Sequence, residues 1–196
     1  MKTLLLKPFE RYSEKQLLLI GFLAFAFGIV LAKLFNTHFD GVLDAHFSDK
    51  ISWAQSILNN SVDVIILTIM LFVAGKAINR KTRLVDLLAA VLIARIPFYP
   101  LVFCNIGNKA FSSGDQVLKS MQHETSIPAS TIVMLVVIIV ITLALLVWSV
   151  ALLYNGYKVA VNGKGAKAVV LFIVVVFIAE IVSKLLIVLL SNTIKS

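Results

Sequence analysis

The sequence predicts an all-α integral membrane protein: a bundle of five transmembrane helices, with an amphipathic helix in the interface between spans one and two. Three observations carry this. The chain of 196 residues is 60% hydrophobic and 14% charged, with a mean hydropathy of +0.98. Soluble domains sit nearer 45–50% apolar and about 25% charged, so a water-facing surface is hard to build from this composition. Next, the apolar residues fall into runs of the length that crosses about 30 Å of hydrocarbon as a helix. Third, the 18 lysines and arginines cluster between those runs, as membrane flanks do, and not in a stripe interleaved with aromatics. The net charge of +8 therefore reads as membrane anchoring, and nucleic acid is excluded as a partner.

The first span is expected over about 17–36. Ser13 and Gln16 before it have capping-box spacing, in which hydroxyl and amide each satisfy an exposed N–H of the helix start. The run is longer than a signal h-region and no convincing cleavage site follows, so it reads as a retained helix. Ala24, Gly28 and Ala32 recur every four residues and give one face that lets another backbone approach. Packing within the chain is the expected use of that face.

Residues 37–61 are too polar to span. Phe47, Ile51, Ala54 and Leu58 recur at helical spacing, which predicts the interfacial amphipathic helix. His38, His46, Asp40, Asp44 and Asp49 read as a solvated polar face, not as a metal cluster. The second span follows over about 62–79 and ends in a basic turn with Lys76, Arg80, Lys81 and Arg83.

The third span, about 84–104, reads LVDLLAAVLIARIPFYPLVFC. Arg95 lies inside it, and Pro97 and Pro100 should kink or break it, since proline removes a backbone donor and clashes with the preceding turn. A polar connection follows, in which residues 115–124 suit one short helix. Span four covers about 129–155, long enough to tilt or protrude. A loop, NGYKVAVNGKGAK, leads to span five over about 166–191. One membrane domain accounts for 1–196.

Five spans alternate consistently with charge. The N-terminal segment, the 76–83 turn and the 156–167 loop hold eleven lysines and arginines against five on the opposite side. Asp40, Asp44, Asp49, Asp63, Asp115 and Glu124 fall on that opposite side. The positive-inside rule places the N-terminus in the cytoplasm and the C-terminus outside, with the cytoplasmic cations set to meet lipid headgroups.

Charges inside spans need a partner or a function. Arg95 is about 16 Å past the start of span three and Glu180 about 21 Å past the start of span five, at about 1.5 Å per residue. Their matching depth predicts an Arg95–Glu180 pair, with Lys184 one turn beyond Glu180 in the favourable order for an intrahelical pair. Either the three form a structural ion pair, or they line a polar intramembrane site for an ion, proton or headgroup. Enzyme signatures are missing: His123-Glu124 lacks the second histidine of a zinc protease, and 162–165 lacks the spacing of a phosphate loop. The expectation is a protein that is not an enzyme, with no catalytic residue, metal or cofactor. Cys104, the single cysteine, allows no intrachain disulfide.

Trp148 near the end of span four, then Leu152, Tyr154, Gly156, Tyr157, Ala160, Gly165, Lys167 and Ala168, form an ordered pattern: a tryptophan, an apolar run, a glycine, a small turn, and Lys-Ala opening the last helix. With the five-span count and the arginine-plus-proline third span, this resembles the Yip family of Rab-interacting five-span membrane proteins, in its short bacterial form. The resemblance covers about a quarter of the chain. It implies a multi-pass protein of the bacterial inner membrane that organises or shapes membrane, or scaffolds a partner, with lipids, a second copy or a protein at the cytoplasmic loops as partners. The family's acidic-Leu-Tyr-Gly-Pro signature is missing, so GTPase binding is not carried over. The alternative is a small transporter or channel using Arg95, Glu180 and Lys184.

Overall fold

A computed structural model describes residues 7–123, 126–163 and 165–195, with side chains as far as Asn192. Lys2, Lys164, Glu124 and the Lys195 side chain, used in the charge count above, lie outside that set. Among the described residues, five helical segments are long and apolar enough to cross a membrane: Glu14–Leu34, Trp53–Ile78, Leu84–Gln122, Ala129–Val161 and Ala166–Asn192. By length and composition these segments are those of a multi-pass membrane protein.

Helix α1 (Glu14–Leu34) opens with the expected capping box: the Gln16 N–H donates to Ser13 Oγ and the Ser13 N–H to Gln16 Oε1. Its small face is used within the chain. The Tyr99 ring lies where a Cβ on Gly28 would sit, and Ala32 is fully buried. Outward positions such as Leu19, Phe22, Leu23 and Phe27 are exposed, as a lipid-facing side requires.

The interfacial helix does not form. In its place, β1 (Thr37–His38) and β2 (His46–Phe47) make a two-stranded antiparallel ribbon, and Phe39, Val42 and Ile51 are buried beneath the connecting chain. Trp53 to Leu58, read as part of that helix, are instead the first turns of α2 (Trp53–Ile78). A second capping box, Ser52 with Gln55, starts α2 nine residues before the expected edge of span two. The apolar recurrence from Phe47 to Leu58 therefore straddles two different structures.

Helix α3 (Leu84–Ala94) ends just before Arg95, and the chain tightens into 3₁₀ turns over Ile96–Asn108. Pro97 opens that tighter run and Pro100 lies within it, so the expected break is present. At its far end Ile106 departs from helical backbone and Gly107 and Asn108 take left-handed conformations, turning the chain into α4 (Lys109–Gln122). Helix α5 (Ala129–Val161) runs past the expected end of span four, and α6 (Ala166–Lys195) closes the bundle.

Helix α3 is the central element. Leu87, Ala89, Ala90, Val91 and Leu92 are buried on all sides, against α1, α2 and α5. Helix α6 packs mainly on α2. Much of α5 faces outward through valines and isoleucines such as Val133, Val136, Ile139 and Val140. At one end of the bundle, the basic end, the Asn79 amide donates to the Val161 carbonyl at 3.1 Å and Arg83 pairs with Glu14 at 2.6 Å. These bonds bring the 79–83 turn, the start of α1 and the end of α5 together.

Candidate functional site

The half of the bundle toward the ribbon holds the buried polar residues. On α2, Ser56, Asn59, Asn60 and Asp63 are all buried and follow helical spacing, so they form one polar stripe. Ser56 Oγ donates across to the Ile29 carbonyl of α1, and the Asn60 amide donates to the Ser56 carbonyl one turn back. Asn59 and Asp63 point to other elements.

Arg95 does not pair with Glu180. Its guanidinium donates to Asp63 Oδ2 at 3.2 Å, with both side chains at or below 5% exposure. The acid at matching depth to Arg95 is on α2, not on α6. A second span that starts at 62 leaves Asp63 at its outer edge, counted with the acids of the outer side. With α2 beginning at Trp53, Asp63 lies about three turns inside the helix at 3.6 residues per turn. The Ser52–Gln55 spacing is the sequence signal that would have placed it. Phe39 from the ribbon loop lies under the guanidinium, 5.9 Å from ring centroid to Arg95 Cζ, and the Tyr99 hydroxyl lies beside it. Arg95 Nε is buried without a hydrogen-bond partner, and the Ser183 hydroxyl of α6 lies close to the Asp63 carboxyl.

Glu180 and Lys184 form the expected intrahelical pair at 3.0 Å, and together they clamp the ribbon loop. The Leu43 N–H donates to Glu180 Oε2 at 2.8 Å, and Lys184 reaches Asp44 at 2.6 Å. Gly41 is required here: a Cβ would strike the Glu180 carboxylate. The three intramembrane charges thus serve two neighbouring clusters. Arg95 joins α3 to α2, whereas Glu180 and Lys184 join α6 to the loop between the strands.

Beside this lies a cleft of about 240 Å³ lined by His38, Asp40, Gln55, Asn59, Ser191 and Asn192. His38 and His46 are direct partners across the ribbon, and their rings stack at 4.8 Å with planes 8° apart. His46 Nδ1 lies 2.9 Å from Asp40 Oδ1, and Asn59 Nδ2 lies 3.0 Å from His38 Nδ1. The Asp40 hydrogen bond holds the His46 ring above its ordinary pKa against the opposing effect of burial; Asp44 adds to the rise and Lys184 subtracts from it. For Asp40, burial alone would raise the carboxyl, but the hydrogen bond and charge of His46 outweigh it and hold it below the usual range. Among the described residues no group of three histidine, cysteine, aspartate or glutamate side chains is arranged to hold a metal ion.

The residues carrying the family-like pattern lie at the basic end, and they pack. Gly156 lets α5 touch α3 and the N-terminal segment, since a Cβ there would meet Ala90 and the Phe9 ring. Tyr157 is fully buried, and both Tyr154 and Tyr157 contact the Phe172 ring of α6, at 5.2 and 5.4 Å. Leu152 and Ala168 are buried, Trp148 borders the same core, and Lys167 is exposed. Asn162 and Gly165 take positive φ, the geometry of a tight turn.

Comparison of the chain with protein-family models, with curated proteins and with solved structures finds no match in any of the three.

Proposed function

We propose that this is a non-enzymatic, Yip-like multi-pass protein of the bacterial inner membrane that organises membrane or scaffolds a partner through its basic end. One observation carries the reading: the charges at membrane depth are neutralised inside the chain. Arg95 is closed off by Asp63, and Glu180 is occupied by Lys184 and the Leu43 N–H. Groups committed in this way fix helix register and hold a loop in place. The basic end supports the partner half of the proposal. Lys76, Arg80, Lys81, Lys158 and Lys167 are carried by segments that the Asn79–Val161 and Arg83–Glu14 contacts hold together. Under the positive-inside rule this is the cytoplasmic face, where anionic headgroups or an acidic protein surface would meet it.

Transport through Arg95, Glu180 and Lys184 is the competing reading. Reconstitution into sealed vesicles loaded with ion and pH reporters separates the two. Vesicles carrying the protein should stay as tight as protein-free ones. A flux that disappears on Glu180→Gln would replace the scaffold with a transporter.

A further inference from the structure

The His38–His46 stack is used by nothing so far. It sits at the mouth of the polar cleft, on the ribbon that α6 clamps from the other side. Asn59 Nδ2 lies 3.0 Å from His38 Nδ1, and with the amide N–H as donor that ring nitrogen accepts in its neutral form. His46, by contrast, faces the Asp40 carboxylate and is arranged to carry a proton. One proton on the stack therefore suits the Asp40 and Asn59 contacts. A second sets a donor against the Asn59 amide and puts two like charges 4.8 Å apart. At that separation unit charges repel by several times thermal energy at the effective dielectric of a protein surface.

We propose that the stack is a proton-operated latch: one proton, held between His46 and Asp40, fastens the 37–47 ribbon over the cleft, and a second proton on the stack releases it. The other groups facing the stack fix the signs. Asp40 and Asp44 favour the first proton, and Lys184 from α6 opposes it. Asn59 from α2 contributes no charge, and Ser191 and Asn192 at the α6 side of the cleft are neutral. Because the folded His46 is raised, its ion pair is present at and below its ordinary pKa and fades as pH rises through the raised value. Because the folded Asp40 is lowered, the pair survives acid until that carboxyl protonates. The latch is fastened while the stack holds one proton beside the charged Asp40, and it opens when acid adds the second. Lifting the ribbon would expose Val42, which is buried, and the Asn59 Oδ1 atom, which is buried without a partner.

The test uses the full-length protein in lipid nanodiscs with Cys104→Ser as background. Val42→Cys reports ribbon opening through its maleimide labelling rate, divided by that of the exposed Lys50→Cys at each pH to remove the thiol's own titration. The ratio should rise about tenfold from pH 7 to pH 5, within what one coupled proton allows over two pH units. In His38→Phe, which keeps a flat ring in the stack but takes no proton, the rise should fall below about twofold. A ratio that ignores pH, or an equal rise in His38→Phe, overturns the latch. Should His38→Phe fail to fold, ¹⁵N shifts of the histidine rings in the parent decide. A singly protonated stack while Val42→Cys is shielded supports the latch, and two protonated rings under a shielded Val42→Cys overturn it.

Discussion

At the basic end of the bundle, helices are held by the close approach of small residues and by aromatic packing. Gly156 admits Ala90 and Phe9, and Tyr154 and Tyr157 rest on Phe172. At the ribbon end, neighbouring elements are joined by charges and amides: Arg95 to Asp63, Glu180 to the Leu43 N–H, Lys184 to Asp44, Asn59 to His38. The contrast follows from the connections. The basic end has short turns, 79–83 and 162–165, so the helices themselves meet and sterics suffice. The ribbon end must accommodate the 35–52 segment, whose backbone has few ladder bonds of its own. Buried backbone polar groups have to find partners in such a place, and Glu180 of α6 with Asn105 and Asn108 of the 3₁₀ run supply several of them.

The sharpest way to break the comparison is at its most buried pair. Asp63→Leu leaves the Arg95 guanidinium, 5% exposed, without its counter-charge. Removing one partner of a buried pair costs about 3–5 kcal/mol, whereas replacing both by apolar groups of similar volume is often neutral. Thermal unfolding in detergent should therefore drop steeply for Asp63→Leu and recover largely in Asp63→Leu/Arg95→Met. If the single variant unfolds with the parent, the ribbon end does not depend on its charges.

The basic end answers to volume. Gly156→Ala puts a methyl against the Ala90 methyl at a separation real structures do not show. Overpacking of this kind costs about 1–3 kcal/mol. Transferring the methyl, as Gly156→Ala/Ala90→Gly, should return part of the loss despite the roughly 1 kcal/mol that an interior helical glycine costs. Additive losses in the same thermal assay would mean the two helices are not in contact there.

These two ends were also unequally legible in the sequence. The spans, the α1 capping box, the small face of Ala24, Gly28 and Ala32, and the break at Pro97 and Pro100 are local, and periodicity or backbone chemistry announces them. The pattern from Trp148 to Ala168 was visible, but its packing role required Phe9 and Ala90, which are remote in sequence. The ribbon end was read least well. A two-residue strand leaves no periodic trace, and the apolar spacing of Phe47, Ile51, Ala54 and Leu58 imitated a helix across the boundary at Ser52. A boundary at 62 in place of 53 puts Asp63 at the outer edge of the span and not in the core, which leaves Glu180 as the acid at Arg95's depth. Lys184 with Glu180, one turn apart, needed no tertiary knowledge and was placed correctly.

The smallest effects sharpen the contrast by asking how far the buried network extends. Lys184 and Asp44 are each a little under half exposed, and Arg83 and Glu14 are similarly open at the other end. Exposed pairs contribute about 0.2–1 kcal/mol and lose that in salt. Arg83→Gln should scarcely move the unfolding temperature. Lys184→Met should cost more within that range, because Glu180 is only 17% exposed and would keep the Leu43 N–H as its remaining partner. Raising salt should narrow the difference between Lys184→Met and the parent, since only the Asp44 side of the clamp faces solvent. A loss as large as that of Asp63→Leu, unchanged by salt, would show that clamp and core pair act as one unit. The boundary between the two kinds of construction would then fall at α6, with the loop counted as part of the core.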